Sequence, residues 1–68
     1  MTNFGTRLKD KLRENGLTQH GLAVLIGVTD SEISRYIKGE RTPSLPVLVQ
    51  LADRLNTSTD YLLGRNSD

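Results

Sequence analysis

Four hydrogen-bonding side chains recur at helical spacing between residues 30 and 35. They are Asp30, Ser31, Ser34 and Arg35, and they share one face of a helix because residues three and four apart are neighbours there. An arginine can donate two parallel hydrogen bonds to O6 and N7 of a guanine, whereas an aspartate can accept one from a cytosine amino group. Asp30 can instead bond to Ser31 or Arg35 and orient them. The face therefore has the chemistry needed to read base edges in the major groove of DNA.

Catalytic and metal-binding chemistry have no matching set of residues in the sequence. A metal site needs three or four ligands, but His20 is the only histidine and cysteine is absent. No carboxylate lies at a motif spacing from a nucleophile, and the chain has neither a G-x-S-x-G elbow nor a phosphate-binding glycine loop. The sequence therefore predicts no enzyme and no metal, cofactor or small-molecule site.

The segment 19–36 predicts two short helices joined by a tight turn. A glycine costs about 1 kcal/mol inside a helix but is favoured just past a helix end, where the backbone turns left-handed. Gly27 is therefore predicted to end the first of these two helices. Thr29 and Glu32 have the Thr-x-x-Glu spacing of a capping box, so the second helix is predicted over residues 30–38. This arrangement presents the polar face described above.

Apolar residues at helical spacing predict the helices that hold this pair in place. The predicted caps are Thr2 or Asn3, Thr18, Ser44 and Ser58, and the predicted helix ends are Gly16, Gly39, Asn56 and Gly64. The predicted buried stripes are Phe4, Leu8 and Leu12; Leu22, Ala23, Leu25 and Ile26; Ile33, Tyr36 and Ile37; Val47, Leu48, Leu51, Ala52 and Leu55; and Tyr61, Leu62 and Leu63. Strand signals are absent. We therefore predict an all-α fold, a compact bundle of five short helices in a single domain over 1–68, with a helix-turn-helix over 18–38 and a polar tail over 65–68.

Composition narrows the class of protein without identifying its partner. The chain has 68 residues, no cysteine and a formal net charge of +1. A chain of this length buries only about 60% of its unfolded surface, so its stability is expected to be modest. The longest apolar run, residues 22–26, is too short to cross a membrane. Because the net charge is weak evidence for nucleic acid, any basic footprint must be local.

Seven short matches extend the helix-turn-helix pattern along the chain. They are GLTQ (16–19), LA (22–23), GVT (27–29), ISRY (33–36), KGERTPSL (38–45), LA (51–52) and DYLLG (60–64). With these motifs the chain resembles the phage Cro/repressor family of DNA-binding domains over nearly its whole length. The resemblance implies that the helix over 30–38 enters the major groove of double-stranded DNA.

The resemblance also implies which residues hold the DNA backbone. Helix N-termini and the side chains of lysine and arginine bind phosphate groups. The family's contact positions fall on Thr18, Gln19, Lys38, Arg41 and Thr42. These five residues are expected to position the domain, while the face at 30–35 reads the bases.

The sequence departs from the family pattern in two places. Gly21 stands where many members have an acidic residue that completes a capping box, so a looser start is expected for the second helix. Leu12 and Ile37 stand where many members have a buried arginine–glutamate pair. Replacing both partners of a buried ion pair by apolar residues is often neutral or stabilising, so the fold is expected to be kept.

The combined expectation is sequence-specific DNA binding by a transcriptional repressor or regulator. A palindromic operator would be bound by a homodimer, with Tyr61, Leu62 and Leu63 at the dimer interface, although Leu62 can equally belong to the core. The protein would be cytoplasmic and encoded by a prokaryote or a phage. The alternative is a protein-interaction module on the same fold, such as the partner-binding half of an antitoxin, since a fold does not fix a function.

Overall fold

A computed structural model describes residues 3–65, which form five helices and contain no strand. The helices are α1 (Phe4–Glu14), α2 (Gln19–Ile26), α3 (Asp30–Lys38), α4 (Leu45–Arg54) and α5 (Thr59–Leu63). The predicted five-helix, all-α architecture is therefore confirmed. The possible cap Thr2 and residues 66–68 of the predicted tail lie outside the described residues. No helix in the described part of the chain is long and apolar enough to cross a membrane.

Each helix begins after a side chain that accepts a hydrogen bond from a backbone amide of the first turn. The capping residues are Asn3, Thr18, Thr29, Ser44 and Ser58, as predicted. Such a cap typically contributes about 1 kcal/mol, because it satisfies an amide that has no partner within the helix. Five caps in so short a chain fix where every helix starts.

The helix ends follow the glycine pattern. Gly27, Gly39 and Gly64 adopt left-handed backbone conformations directly after α2, α3 and α5, with φ of 76°, 78° and 74°. Gly16 and Asn56 do the same one residue beyond the caps of α1 and α4, with φ of 66° and 56°. The predicted stops are confirmed, including asparagine as the one non-glycine residue with positive φ among residues 3–65.

The capping box at the start of α3 is only half formed. The Thr29 hydroxyl accepts from the amide of Glu32 at 3.1 Å. The Glu32 carboxylate accepts from the Tyr36 hydroxyl at 3.3 Å, rather than returning to the Thr29 amide as predicted. Tyr36 is one helical turn further along, so the carboxylate joins two turns of α3. Burial, assisted by this carboxylate, raises the pKa of the Tyr36 hydroxyl, which keeps it protonated as the donor.

Apolar side chains from all five helices form one core. Its buried members are Leu8, Leu12, Leu22, Ala23, Ile26, Ile33, Tyr36, Leu48, Leu51, Ala52, Leu55 and Leu62. Phe4, Leu17, Val28, Ile37, Val47 and Tyr61 pack around it and remain partly exposed. Leu25 was predicted to be buried, but 44% of it is exposed, because the contact face of α2 is only wide enough for Leu22, Ala23 and Ile26.

Gly5 lets α1 lie directly against α3. A Cβ atom at Gly5 would come within 1.9 Å of the Ile37 carbonyl oxygen, so only glycine allows the two backbones to approach this closely. Leu12 is buried and Ile37 packs against the core. The two positions expected to replace an ion pair therefore contribute apolar surface. Gly5 was absent from the predicted contact residues, because a glycine carries no apolar side chain to reveal the buried stripe.

The short helix α5 is held against α1 by aromatic and apolar contacts. Leu62 is fully buried. The ring of Tyr61 faces the guanidinium of Arg7 and the ammonium of Lys11, which lie 4.9 and 4.7 Å from the ring centroid, within the range of cation–π attraction. Leu63 is left 48% exposed at the end of the helix.

Replacing Gly5 by alanine should destabilise the fold by up to about 2 kcal/mol, an overpacking cost of about 1–3 kcal/mol less a helix-propensity gain of up to about 1 kcal/mol. Alanine is the better helix former by up to about 1 kcal/mol, but its methyl group would overlap the Ile37 carbonyl and force α1 away from α3. Chemical denaturation of the variant beside Thr6→Ala measures this, because Thr6 is an exposed neighbour on the same helix. An unchanged or higher midpoint for Gly5→Ala would disprove the close approach.

Candidate nucleic-acid interface

The turn between α2 and α3 sets the position of both helices. The carbonyl of Ala23 accepts from the amides of Gly27 at 2.9 Å and Val28 at 3.0 Å, so the end of α2 is closed by its own turn. Ala23 is 1% exposed, and its small side chain belongs to the core. Val28 packs against the core. Thr29 then starts α3, and these few residues leave little freedom in the crossing of the two helices.

The outer face of α3 carries most of the residues predicted to read bases. Asp30, Ser31 and Arg35 are exposed. Ser34 is half-buried, so it is less exposed than the other three residues of the predicted face. It lies beside the boundary of the core because Ile33 precedes it and is fully buried. Three of the four side chains are thus exposed to solvent, and Ser34 is partly so.

Asp30 is held by a histidine from the other helix of the pair. The His20 Nδ1 atom lies 2.9 and 3.0 Å from the two carboxylate oxygens of Asp30. The sequence left open whether Asp30 accepts from a cytosine or bonds to Ser31 or Arg35, and it did not include His20 among the partners. Sequence reasoning gave His20 no role. The contact of His20 with Asp30 depends on the angle at which α2 crosses α3. The two residues are ten positions apart, and helical periodicity does not predict a contact between different helices.

The residues predicted to hold phosphates lie on both sides of this face. Thr18 and Gln19 are exposed at the start of α2, while Lys38, Arg41 and Thr42 are exposed at and beyond the end of α3. The Thr18 hydroxyl accepts from the amide of Gly21 at 2.9 Å, so the cap forms despite the missing acidic residue. The start of α2 therefore presents a capped helix N-terminus, which favours anions.

Two cations of α1 lie beside the start of α2 and were not among the residues predicted to bind DNA. Lys9 and Arg13 line a shallow groove together with Gln19, at the junction of α1 and α2. Arg13 lies 3.5 Å from the carboxylate of Asp10, and both Lys9 and Arg13 are exposed. Lys9 and Arg13 are four residues apart and therefore lie on one side of α1. This spacing was the feature of the sequence that could have identified them.

The three residues predicted at a dimer interface differ in how deeply they are buried. Leu62 is fully buried within the core of this chain and is not available to a second copy. Tyr61 is half-buried, and Leu63 is exposed. Of the two roles left open for Leu62, the structure supports the core.

The known sequences to which this chain is similar are helix-turn-helix proteins and transcriptional regulators. A sequence model of the helix-turn-helix family matches residues 8–62. The chain is 34% identical over 64 residues to the HTH-type transcriptional regulator ImmR of Bacillus subtilis, covering 94% of this chain and 50% of that protein. It is 36% identical over 59 residues to the cryptic phage CTXphi transcriptional repressor RstR of Vibrio cholerae, covering 87% of this chain and 53% of that one. The chain thus spans about half the length of these two relatives.

Solved structures share the fold almost throughout. The P22 c2 repressor, solved in complex with a synthetic operator, matches with a TM-score of 0.90 and 27% identity, covering 97% of this chain and 100% of that one. The restriction-modification controller protein C.AhdI of Aeromonas hydrophila matches with a TM-score of 0.81 and 33% identity, covering 88% of this chain and 91% of that one.

Proposed function

The chain belongs to the helix-turn-helix family, and on that basis we propose that it is the DNA-binding domain of a transcriptional regulator. It binds a specific site in double-stranded DNA through the outer face of α3. The same function places it in the cytoplasm of a bacterium, encoded by the host or by a phage. Its fold match to a repressor solved with an operator and its sequence match to transcriptional regulators support this proposal.

The observation that carries the proposal is the two-sidedness of α3. Ile33 is fully buried and Tyr36 is 3% exposed, so the helix is fixed to the core by one side. Asp30, Ser31 and Arg35 are exposed on the other side. The major groove is about 12 Å wide and admits one α-helix whose side chains meet the base edges. Arg35 pairs with a guanine, and the short Ser31 side chain allows close approach.

The flanking residues position this helix on the duplex. Thr18 and Gln19 present the N-terminus of α2 to one phosphate, and Lys38, Arg41 and Thr42 contact the backbone beyond α3. Such contacts fix orientation and carry no sequence information. Because the net charge of the chain is only +1, the attraction comes from this local set rather than from the charge of the whole domain.

The domain binds its operator as a homodimer. One recognition helix reads only a few base pairs, and each good contact discriminates by about 1–3 kcal/mol, which is too little to select one site among many competitors. Two copies related by a two-fold axis double these contacts. Leu63, exposed at the end of α5, and the free side of Tyr61 form the contact between the copies. Leu62 does not take part, because it is buried.

A second candidate function rests on exposed apolar side chains of α2 and α4. Val24, Leu25, Leu45 and Val49 are exposed by 66%, 44%, 77% and 50%. In this alternative the fold is kept and the domain binds a protein, as the partner-binding half of an antitoxin does. The two candidates differ in their response to DNA and salt, which the next experiment measures.

Affinity for DNA should separate positioning residues from reading residues. The wild-type protein should bind random duplex with an affinity that falls steeply with salt, because phosphate contacts release counterions. Lys38→Ala should weaken binding equally on random and operator DNA and lower the salt slope by about 1. Arg35→Ala should cost about 1–3 kcal/mol on the operator, mainly by relaxing the preference at one base pair.

Asp53→Ala, an exposed change on α4, serves as the control. It should leave both the affinity for DNA and the preference among bases unchanged. If Arg35→Ala lowered the affinity equally for every DNA sequence, Arg35 would be a phosphate contact. The proposed base-reading face of α3 would then be wrongly oriented. Negligible binding of the wild type to any duplex at low salt would favour the protein-interaction alternative.

Spacing of half-sites should reveal the dimer. Two inverted half-sites whose centres lie one DNA turn apart, about 34 Å, should bind cooperatively, because both α3 helices then enter the groove on one side of the duplex. Inserting five base pairs should abolish cooperativity by turning one half-site away. A gel-shift series with one and two half-sites measures this. Equal affinity per half-site at every spacing would show that the domain acts as a monomer.

A further inference from the structure

The contact between His20 and Asp30 joins the two helices of the helix-turn-helix. It lies on the side that faces DNA in the proposed function. Its distances of 2.9 and 3.0 Å place the Nδ1 atom of His20 between both carboxylate oxygens of Asp30. The two side chains are 72% and 61% exposed. Exposed pairs of this kind contribute little to stability, whereas the helices are already fixed by Ala23 and Ile33 in the core. The contact therefore matters for where the carboxylate lies.

The chemistry of the pair fixes the proton on one nitrogen. An ionised carboxylate can only accept hydrogen bonds, so Nδ1 must carry the hydrogen. A carboxylate has about four acceptor positions, and one N–H occupies a small part of that capacity. Asp30 can therefore be held by His20 and still accept a second hydrogen bond from outside the protein.

The outer end of Asp30 suits one base donor in particular. In the major groove a cytosine offers its N4 amino group, whereas an adenine offers its N6 amino group beside the N7 acceptor. A carboxylate placed at an adenine edge meets the lone pair of N7, and at a guanine edge it meets two acceptors. Phosphate repels a carboxylate that is free to swing, so a fixed orientation toward the bases is an advantage at this position.

We infer that His20 is a positioning residue for base reading, which holds the Asp30 carboxylate so that it accepts from the amino group of a cytosine. The inference rests on the proposed function, because it assigns one base preference within the DNA site. Arg35, five residues further along α3, reads a different base pair. His20 itself carries none of the base contact and acts through Asp30.

Competition binding with half-sites that carry each of the four bases at one position tests the inference. Duplexes are first selected from a random pool with the wild-type protein, and the positions at which it prefers cytosine are identified. Asp30→Ala should lower the preference for cytosine at one of these positions by about 5- to 150-fold, the range given by one good contact. His20→Ala should lower the same preference and no other, and it should have no further effect in the Asp30→Ala background.

Two further variants separate positioning from a general structural effect. His20→Asn places an amide nitrogen near the position of Nδ1, so it should restore much of the cytosine preference. Val24→Ala is a matched alanine change at an exposed position of α2 and should leave affinity and preference unchanged. His20→Ala should also retain the wild-type melting temperature, since the exposed pair adds little to stability.

Each contrary result overturns a distinct statement. A cytosine preference that survives His20→Ala but not Asp30→Ala would remove the positioning role of His20. A preference that survives Asp30→Ala would remove base reading by this pair, while binding of the selected site would keep the proposed function intact. A wild-type protein that selects no duplex would overturn the proposed function and this inference with it.

Discussion

The left-handed turn after α2 is the constraint on which the rest of the structure depends. Gly27 has φ of 76°, a conformation that costs about 1–2 kcal/mol for a residue with a side chain. The carbonyl of Ala23 accepts from two successive amides of this turn, and Thr29 caps the next helix within two residues. The chain therefore changes direction in a short and stiff segment. This stiffness fixes the angle at which α3 leaves the core and hence the direction of its outer face.

The core holds α3 at that angle, so that its polar side stays exposed. Ile33 and Tyr36 are buried on one side of α3, and Gly5 lets α1 lie against the backbone of Ile37. With α3 held in this way, its polar side is the part of the helix free for a partner. A groove-reading helix needs such a rigid support, because a misplaced side chain loses the hydrogen bonds that distinguish one base from another. The small core thus serves the precision of one exposed face.

The sequence predicted the parts of this fold that depend on local chemistry. Caps such as Thr18 and stops such as Gly27 act within a few residues, so their types and spacing are sufficient. One error is local, because the Glu32 carboxylate bonds to Tyr36 within α3 and not to the Thr29 amide. The other errors came from contacts between helices. Leu25 follows the apolar pattern of α2 yet lies outside the narrow contact face, and Gly5 carries no side chain to mark its burial. The pairing of His20 with Asp30 depends on a crossing angle that spacing does not encode. The identity of the base-reading and phosphate-binding residues stays a prediction.

The location of the DNA-binding surface is the central claim, and amide chemical shifts measured during titration with a selected duplex test it most directly. The account predicts shifts concentrated at residues 18–20, 30–35 and 38–42, which are the start of α2, the first part of α3, and the end of α3 with the loop after it. The amides of Asp53 and Arg54, exposed on α4, should stay unchanged. Shifts centred on the exposed apolar side chains of α2 and α4, or no shift at low salt, would contradict it.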